Sequence, residues 1–279
     1  MSSGAIVGYH VVAVVVTFEA PERLRACLGA LASQTRPPDR MVVVNNGAPL
    51  AGRLAVPDSV VVPDSVVLID SETNTGPAGG YHLGIERALD MGATWLWLMD
   101  DDIDVPHRCL EDLLTLGVAG GVEPQMLWPT QVNPAGETEN YPGWYAVLVS
   151  RSAVLLGGLP RADLVWWIED TEYLQWRLPR SGVVERRAPH VRVVHGDARP
   201  DARRPAWKTY YETRNTVWYR TRVSRGMWPG GLVRVLAVLA LQSARGPDRR
   251  RRCGAFAKGV IDGLLGRLGP RWPLPQPKR

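Results

Sequence analysis

Order in the chain is first visible at His10–Thr17, HVVAVVVT, a continuous β-branched run. A run this short and this uniformly apolar fits a strand buried on both faces, as in a parallel sheet. From Glu19-Ala-Pro-Glu22 the period changes to that of a helix, with Leu24, Leu28 and Leu31 recurring at helical spacing until Pro37-Pro38. Arg40–Val44 predicts a second buried strand that stops at Asn45-Asn46-Gly47, so the opening is a βαβ unit, expected to be right-handed. Val66–Ile69 predicts a third strand. It runs into a loop from Asp70 to Gly80, after which Tyr81–Met91 reads as helix and Thr94–Met99 as strand. Alternation of this kind implies an open α/β sheet whose ligands sit beyond the carboxyl ends of the strands.

The second half is less regular. Asp104-Val105-Pro106 has the features of a helix start, Leu110–Leu116 reads as a short helix, and a turn-rich stretch follows to Tyr141. Ala146–Ser150 and Val154–Leu156 read as strands around Arg151, a short helix ends at Leu178, and Val191–Val194 is another β-branched strand. Trp207–Arg222 is helical in propensity, with aromatics on one side and Arg214 expected near phosphate. Leu232–Leu241 is an apolar helix, and Cys253–Leu268 an amphipathic one behind Arg249–Arg252.

Candidate chemistry collects where strands end. Asp100, Asp101 and Asp102 follow directly on the apolar run Trp95–Met99, and three adjacent carboxylates repel unless something compensates them. A divalent cation does so, and hard oxygen ligands suit Mg2+ or Mn2+ bound between carboxylates and substrate phosphates. His195 ends another strand and is a candidate to complete that coordination. Thr17, Asn45, Asn74 and the three aspartates are expected to converge on one crevice. Gly76, Gly79 and Gly80 lack both the dinucleotide GxGxxG spacing and the phosphate-loop Lys, but allow backbone to approach a ligand. Glu169 and Asp170 lie behind Trp166-Trp167, and apolar surroundings raise a carboxyl toward the range of a general base. A helix cap is the competing role for Asp170.

Composition narrows this picture. With 279 residues and 45% hydrophobic content the chain can bury a full core. Cys27, Cys109 and Cys253 are odd in number and lack CxxC spacing, which excludes a disulfide framework or zinc cluster and fits a cytoplasmic setting. Neither a signal peptide nor a membrane span is expected. Of the net charge of +5, residues 245–279 carry +8, which leaves −3 for the rest. A basic tail on an acidic body suggests contact with anionic membrane, on the inner face of the plasma membrane, or with nucleic acid; a dimer contact competes for the same helices.

The order of motifs resembles the inverting family 2 glycosyltransferases of GT-A fold, particularly bacterial rhamnosyl- and galactofuranosyltransferases. VVVTFEAPERLRACLGALASQTRPPDRMVVVNNGA, TNTGPAGGYHLGI, LWLMDDDIDVP, WIEDTEY, VVHGDAR and YYETRN occur in that family's sequence order. The resemblance implies a GT-A (nucleotide-diphospho-sugar transferase) α/β domain over 1–225, an open twisted mainly parallel sheet with flanking helices. Residues 226–279 would form a C-terminal helical appendage. Thr17, Phe18 and Glu19 would line the nucleotide pocket, Asn45 would stand where an Asp usually faces the base, and Asn74, Gly79 and Gly80 would approach nucleotide, ribose or diphosphate. Asp100 and Asp101 would contact donor, Asp100, Asp102 and His195 would hold Mn2+ or Mg2+, and Asp170 would be the catalytic base. The implied donor is a UDP- or dTDP-sugar, and the acceptor a glycan, glycolipid or small-molecule hydroxyl. Three other classes compete: a nucleotide-sugar-binding module without catalysis, a basic nucleic-acid-binding protein, which leaves the acidic strand ends unexplained, and a nucleotidyltransferase.

Overall fold

The computed structural model describes residues 8–50, 65–121, 124–133, 135–196, 205–224, 229–245 and 248–277. The expected division at 225/226 and residues 197–199 of the VVHGDAR motif lie outside them. The described residues form one nine-stranded sheet in the order β3-β2-β1-β4-β8-β6-β9-β5, with β7 paired to β6. Strands β1 (Val11–Thr17), β2 (Arg40–Asn45), β3 (Val66–Asp70) and β4 (Trp95–Asp100) are mutually parallel. Beyond β4 the sheet is mixed: β8 (Tyr145–Ser150) runs antiparallel to both β4 and β6 (Gln125–Val132), while β9 (Val184–His195) is parallel to β6. Short strands β5 (Ile103–Asp104) and β7 (Thr138–Glu139) pair antiparallel to β9 and β6.

Every residue of β1 is buried, and successive residues serve opposite cores. Val11, Ala13 and Val15 pack with α1 (Pro21–Ala32) and α3 (Cys109–Gly120); Val12, Val14 and Val16 pack with α2 (Gly76–Asp90) and Ala153 and Val154 of α4 (Arg151–Gly157). Each buried Val or Leu contributes about 1.5–3 kcal/mol, which is why the uninterrupted β-branched run specifies a central strand.

Several expectations change. The turn-rich stretch before Tyr141 contains β6, buried along its whole length. Its Pro129 lies where the pairing with β9 shifts register, the kind of place where a residue without an N–H is tolerated in a sheet. Val154–Leu156 belongs to helix α4, because the Ser150 hydroxyl accepts from the Ala153 N–H and caps a helix start. Asp104 caps nothing: it lies in β5, and α3 begins at Cys109. Helix α2 begins at Gly76, five residues earlier than Tyr81. Asn74 Oδ1 accepts the Gly76 N–H at 2.9 Å, Gly76 takes φ +70°, and Pro77 occupies the first turn.

Helix α6 (Ala206–Trp218) is buried almost throughout, beneath α8 (Arg249–Leu265). Close approach depends on Gly259 and Gly263, where a Cβ would come within 2.9 Å of Tyr210 O and 2.6 Å of Arg214 O. Helix α7 (Pro229–Ser243) exposes Val233, Val238 and Leu241, and α8 exposes Ile261, Leu264 and Leu265. No helix among the described residues is long and apolar enough to cross a membrane.

Candidate active site

The parallel strands β1 and β4 and the antiparallel β5–β9 pair bring distant polar groups to one place. Ile103 is registered opposite His195, so the chain on leaving β4 passes beside the end of β9. His195 Nε2 lies 3.2 Å from Asp102 Oδ1. The Gly196 N–H donates to Asp102 O at 2.6 Å, and a Cβ at 196 would approach that oxygen to 2.8 Å. A glycine at 196 therefore both supplies a donor, which a proline lacks, and allows the approach. Asp100 Oδ1 accepts from the buried Tyr81 hydroxyl at 2.8 Å, and Tyr81 is stacked on Trp144 with ring centroids 3.9 Å apart. Asp101 Oδ2 accepts from Thr17 Oγ1 at 2.5 Å.

Asp100, Asp102 and His195 each offer a ligand atom within 4.8 Å of the other two. Burial, then the Asp102 charge, pushes the Asp100 carboxyl up to about 7, and burial pushes Asp101 up to about 6. The hydrogen bond to Asp102 raises His195. Compressed like charges with two carboxylate oxygens and an imidazole nitrogen form a donor set that fits a divalent cation.

This cluster opens into a cleft of about 340 Å³ lined by Thr17, Phe18, Asn46, Asn74, Asp100–Asp102, Trp166, Trp207, Lys208 and His195, among others. A second cleft of about 590 Å³ adjoins it, and Asp100, Trp166 and His195 belong to both. Asp170 lies in the second cleft with Glu169, Tyr141, Tyr145 and Trp167. The Asp170 carboxylate accepts at Oδ1 from Thr171 N at 2.6 Å and Thr171 Oγ1 at 3.2 Å. Asp170 thus caps the following π-helical turn Thr171–Arg177 while lining the cleft. Burial raises both Asp170 and Glu169, the latter well above the carboxylate range, with the Asp170 charge adding to it.

The loop that delivers Asp170 is held in unusual backbone. Val165, Trp167 and Ile168 have φ of +68°, +75° and +70°. Bulky residues in that region cost about 1–3 kcal/mol each and persist only where the surroundings impose them. Helix α6 imposes them here. Asn215 Nδ2 donates to the carbonyls of Leu164, Trp166 and Trp167 at 2.8–2.9 Å, and the fully buried Arg214 donates to Leu164 O at 2.8 Å.

Residues 12–121 match the family model described as Glycosyl transferase family 2. That segment resembles the family 2 glycosyltransferases. The chain is 43% identical over 93 residues to galactofuranosyltransferase GlfT1 of Mycobacterium tuberculosis, a match covering 33% of the chain and 30% of that protein. The corresponding protein of Mycolicibacterium smegmatis is 42% identical over 92 residues, again 33% and 30%. The aligned region thus spans about a third of the length of these relatives. Among solved structures, the mannosyltransferase PcManGT from Pyrobaculum calidifontis, in complex with GDP-Man and Mn2+, superposes with a TM-score of 0.55 at 14% identity, over 93% of this chain and 88% of that one. S. aureus TarS 1-349 in complex with UDP gives 0.51 at 12% identity, over 92% of each. The fold is accordingly GT-A, with helices after the sheet domain.

Of the residues singled out from sequence, Thr17, Phe18, Asn74, Asp100, Asp101, Asp102 and His195 line the first cleft and Asp170 the second. Glu19, Asn45, Gly79 and Gly80 line neither. Glu19 Oε1 accepts from Ala48 N, and Asn45 is buried, bonded to Gly47 N, Ala48 O and Asp70 Oδ1. Asn46 faces the cleft instead, and its amide also ties Thr75 and Gly76 at the start of α2. A Cβ at Gly80 would lie 2.6 Å from the Val16 side chain and one at Gly79 2.5 Å from Thr75, so both glycines serve helix packing. Arg214, expected near phosphate, lines neither cleft: its guanidinium donates to backbone carbonyls and to Asn215. Tyr210 and Tyr211 pack on the segment after α8, not on the sheet. Sequence reasoning passed over Tyr81, Lys208 and Asn215. The buried Arg-Asn pair in an aromatic helix was the signal available for the last.

Proposed function

We propose that the protein transfers a sugar from a nucleoside-diphosphate donor, UDP- or dTDP-linked, to an acceptor hydroxyl, with inversion at the anomeric carbon. The observation that carries this reading is the junction of two clefts at Asp100, Trp166 and His195, with a cation-type cluster on one side and the Asp170 carboxylate, raised by burial, lining the other. The family 2 match and the nucleotide complexes of the structural neighbours support it.

In this reading Asp100, Asp102 and His195 would hold Mn2+ or Mg2+, which would supply positive charge to stabilise the departing diphosphate. Tyr81, Gly196 and Thr17 fix the carboxylates, and Lys208 adds a cationic side chain to the cleft lining. The acceptor hydroxyl enters the second cleft and gives its proton to Asp170 Oδ2. Its oxygen bonds to the anomeric carbon as the bond from that carbon to the diphosphate oxygen breaks, so one displacement inverts the centre. Burial, with the Asp170 charge, raises Glu169 and so favours its neutral form beside the base. Trp166 and Trp167 offer flat apolar faces to sugar rings. A binding module without catalysis would share the first cleft but has no use for a raised carboxylate in the second.

A thermal-shift screen of UDP- and dTDP-sugars with Mn2+, beginning with UDP-galactofuranose, tests the donor assignment. At least one donor is expected to raise the melting temperature in a metal-dependent way. No shift with any donor, with or without metal, contradicts the reading.

A further inference from the structure

Beyond α8 the chain returns to the first cleft. The Gly269 N–H donates to Asp163 O at 2.7 Å, and Arg214 Nη1 donates to Gly269 O at 2.5 Å. Tyr211 donates its hydroxyl proton to Trp272 O at 2.7 Å, and the Trp272 ring stacks on Tyr210 with centroids 5.4 Å apart and planes 25° from parallel. Leu274 is buried in the cluster of Val165, Tyr210 and Tyr211, with Trp166 and Trp207 against it. Asn74 Nδ2 then donates to Pro275 O at 2.9 Å, across 201 residues of sequence. Leu274 and Pro275 line the first cleft.

From this placement, which rests on the donor reading above, we infer that the strap Trp272–Pro275 is a wall of the donor pocket and that Leu274 and Pro275 pack on the nucleoside. Sheet order assigns the end of the donor that they meet. The cation cluster lies past β4 and β9, whereas Asn74 follows β3, on the other side of β1 and β2. A diphosphate anchored at Asp102 and His195 therefore places its nucleoside toward Asn74 and the strap. The chemistry agrees: Leu274 and Pro275 offer no N–H to a phosphate but offer apolar surface to a base and ribose. With the strap seated the cleft keeps about 340 Å³, within the ordinary range for a ligand pocket, so the strap is a wall and not a plug.

The same geometry gives Asn74 a second task. Its carboxamide oxygen accepts from the Gly76 N–H and its nitrogen donates to Pro275 O, so it holds the strap while lining the cleft.

The test compares the full chain, a chain ending at Trp272 and the Leu274→Ser variant by calorimetric titration. The truncation keeps the Gly269 and Trp272 anchors, and the point variant keeps the whole strap. Each protein is titrated in Mn2+ with UDP, dTDP and GDP, and separately with pyrophosphate, which has no nucleoside. Loss of the apolar wall that Pro275 and the open edge of Leu274 present predicts up to roughly ten-fold weaker binding of the preferred nucleoside diphosphate in both variants, with pyrophosphate affinity unchanged. Equal or tighter nucleotide binding by both variants overturns the strap while leaving the donor reading intact. A parallel loss of pyrophosphate binding also overturns it, since the change is then not specific to the nucleoside. If the full chain binds none of the four probes, the donor reading fails and takes the strap with it.

Discussion

At the metal end of the junction, Asp100 and His195 occupy the last positions of β4 and β9, and Asp102 follows two residues after Asp100. Regular sheet hydrogen bonding sets their positions, and adjustments are single contacts from Tyr81, Thr17 and Gly196. At the proposed base end, Asp170 follows three non-glycine residues with positive φ, and Asn215 of α6, more than forty residues later in the chain, holds that loop in place. One end of the site is inherited from the sheet. The other stores strain and depends on a polar clamp, so the two ends should respond differently to mutation.

The largest expected difference comes from the base itself. Asp170→Asn should lower the transfer rate about a hundred-fold to ten-thousand-fold, as removal of a general base typically does. Near-normal turnover by the folded variant would break the comparison at its base end.

Asn215→Ala probes the clamp without touching either cleft. It removes the donor to three carbonyls, and a buried acceptor left unsatisfied costs about 1–3 kcal/mol, so the melting temperature should fall. Turnover should drop more than metal-dependent nucleotide binding, because the loop it frees carries Asp170 and not the cation ligands. Equal losses in both would mean that the strain is not local to the base end.

A smaller effect is a shift along the pH axis. Burial raises Asp170, so its base form is present above that raised value and is lost as pH falls through it. The acid limb of kcat/KM should therefore lie above the ordinary carboxylate value of about 4. Burial raises Glu169 as well, which favours its neutral form, so Glu169→Gln should leave that limb nearly in place. A limb at the ordinary value, or one that follows Glu169→Gln, would transfer the base role away from Asp170.

The same contrast explains which parts of the molecule were legible from residues alone. β1, β2 and β4 are built on apolar runs, β9 shows a β-branched stretch only at its end, Val191–Val194, and the polar ends of these strands mark the first cleft because a parallel sheet gathers carboxyl ends on one side. β6 escaped notice because Gln125, Pro129, Thr130 and Gln131 break its pattern, yet all are buried between neighbouring strands. Gly79 and Gly80 read as loop signals, although Gly79 makes room for Thr75 one helical turn earlier and Gly80 for Val16, a contact that only the tertiary structure supplies. The positive φ values before Asp170 carry no local signature, since Val, Trp and Ile are the residues least expected there. The strap Trp272–Pro275 has no periodicity at all. Its place is set by Tyr210, Tyr211 and Asn74, distant in sequence.

The central claim is that metal-bound donor and base occupy separable ends of one site. The most direct measurement is calorimetric titration of nucleoside diphosphate in Mn2+ into Asp102→Ala and Asp170→Asn side by side. The account predicts that Asp102→Ala loses the metal-dependent binding while Asp170→Asn binds like the unaltered chain. Loss in both variants, or in neither, would contradict it.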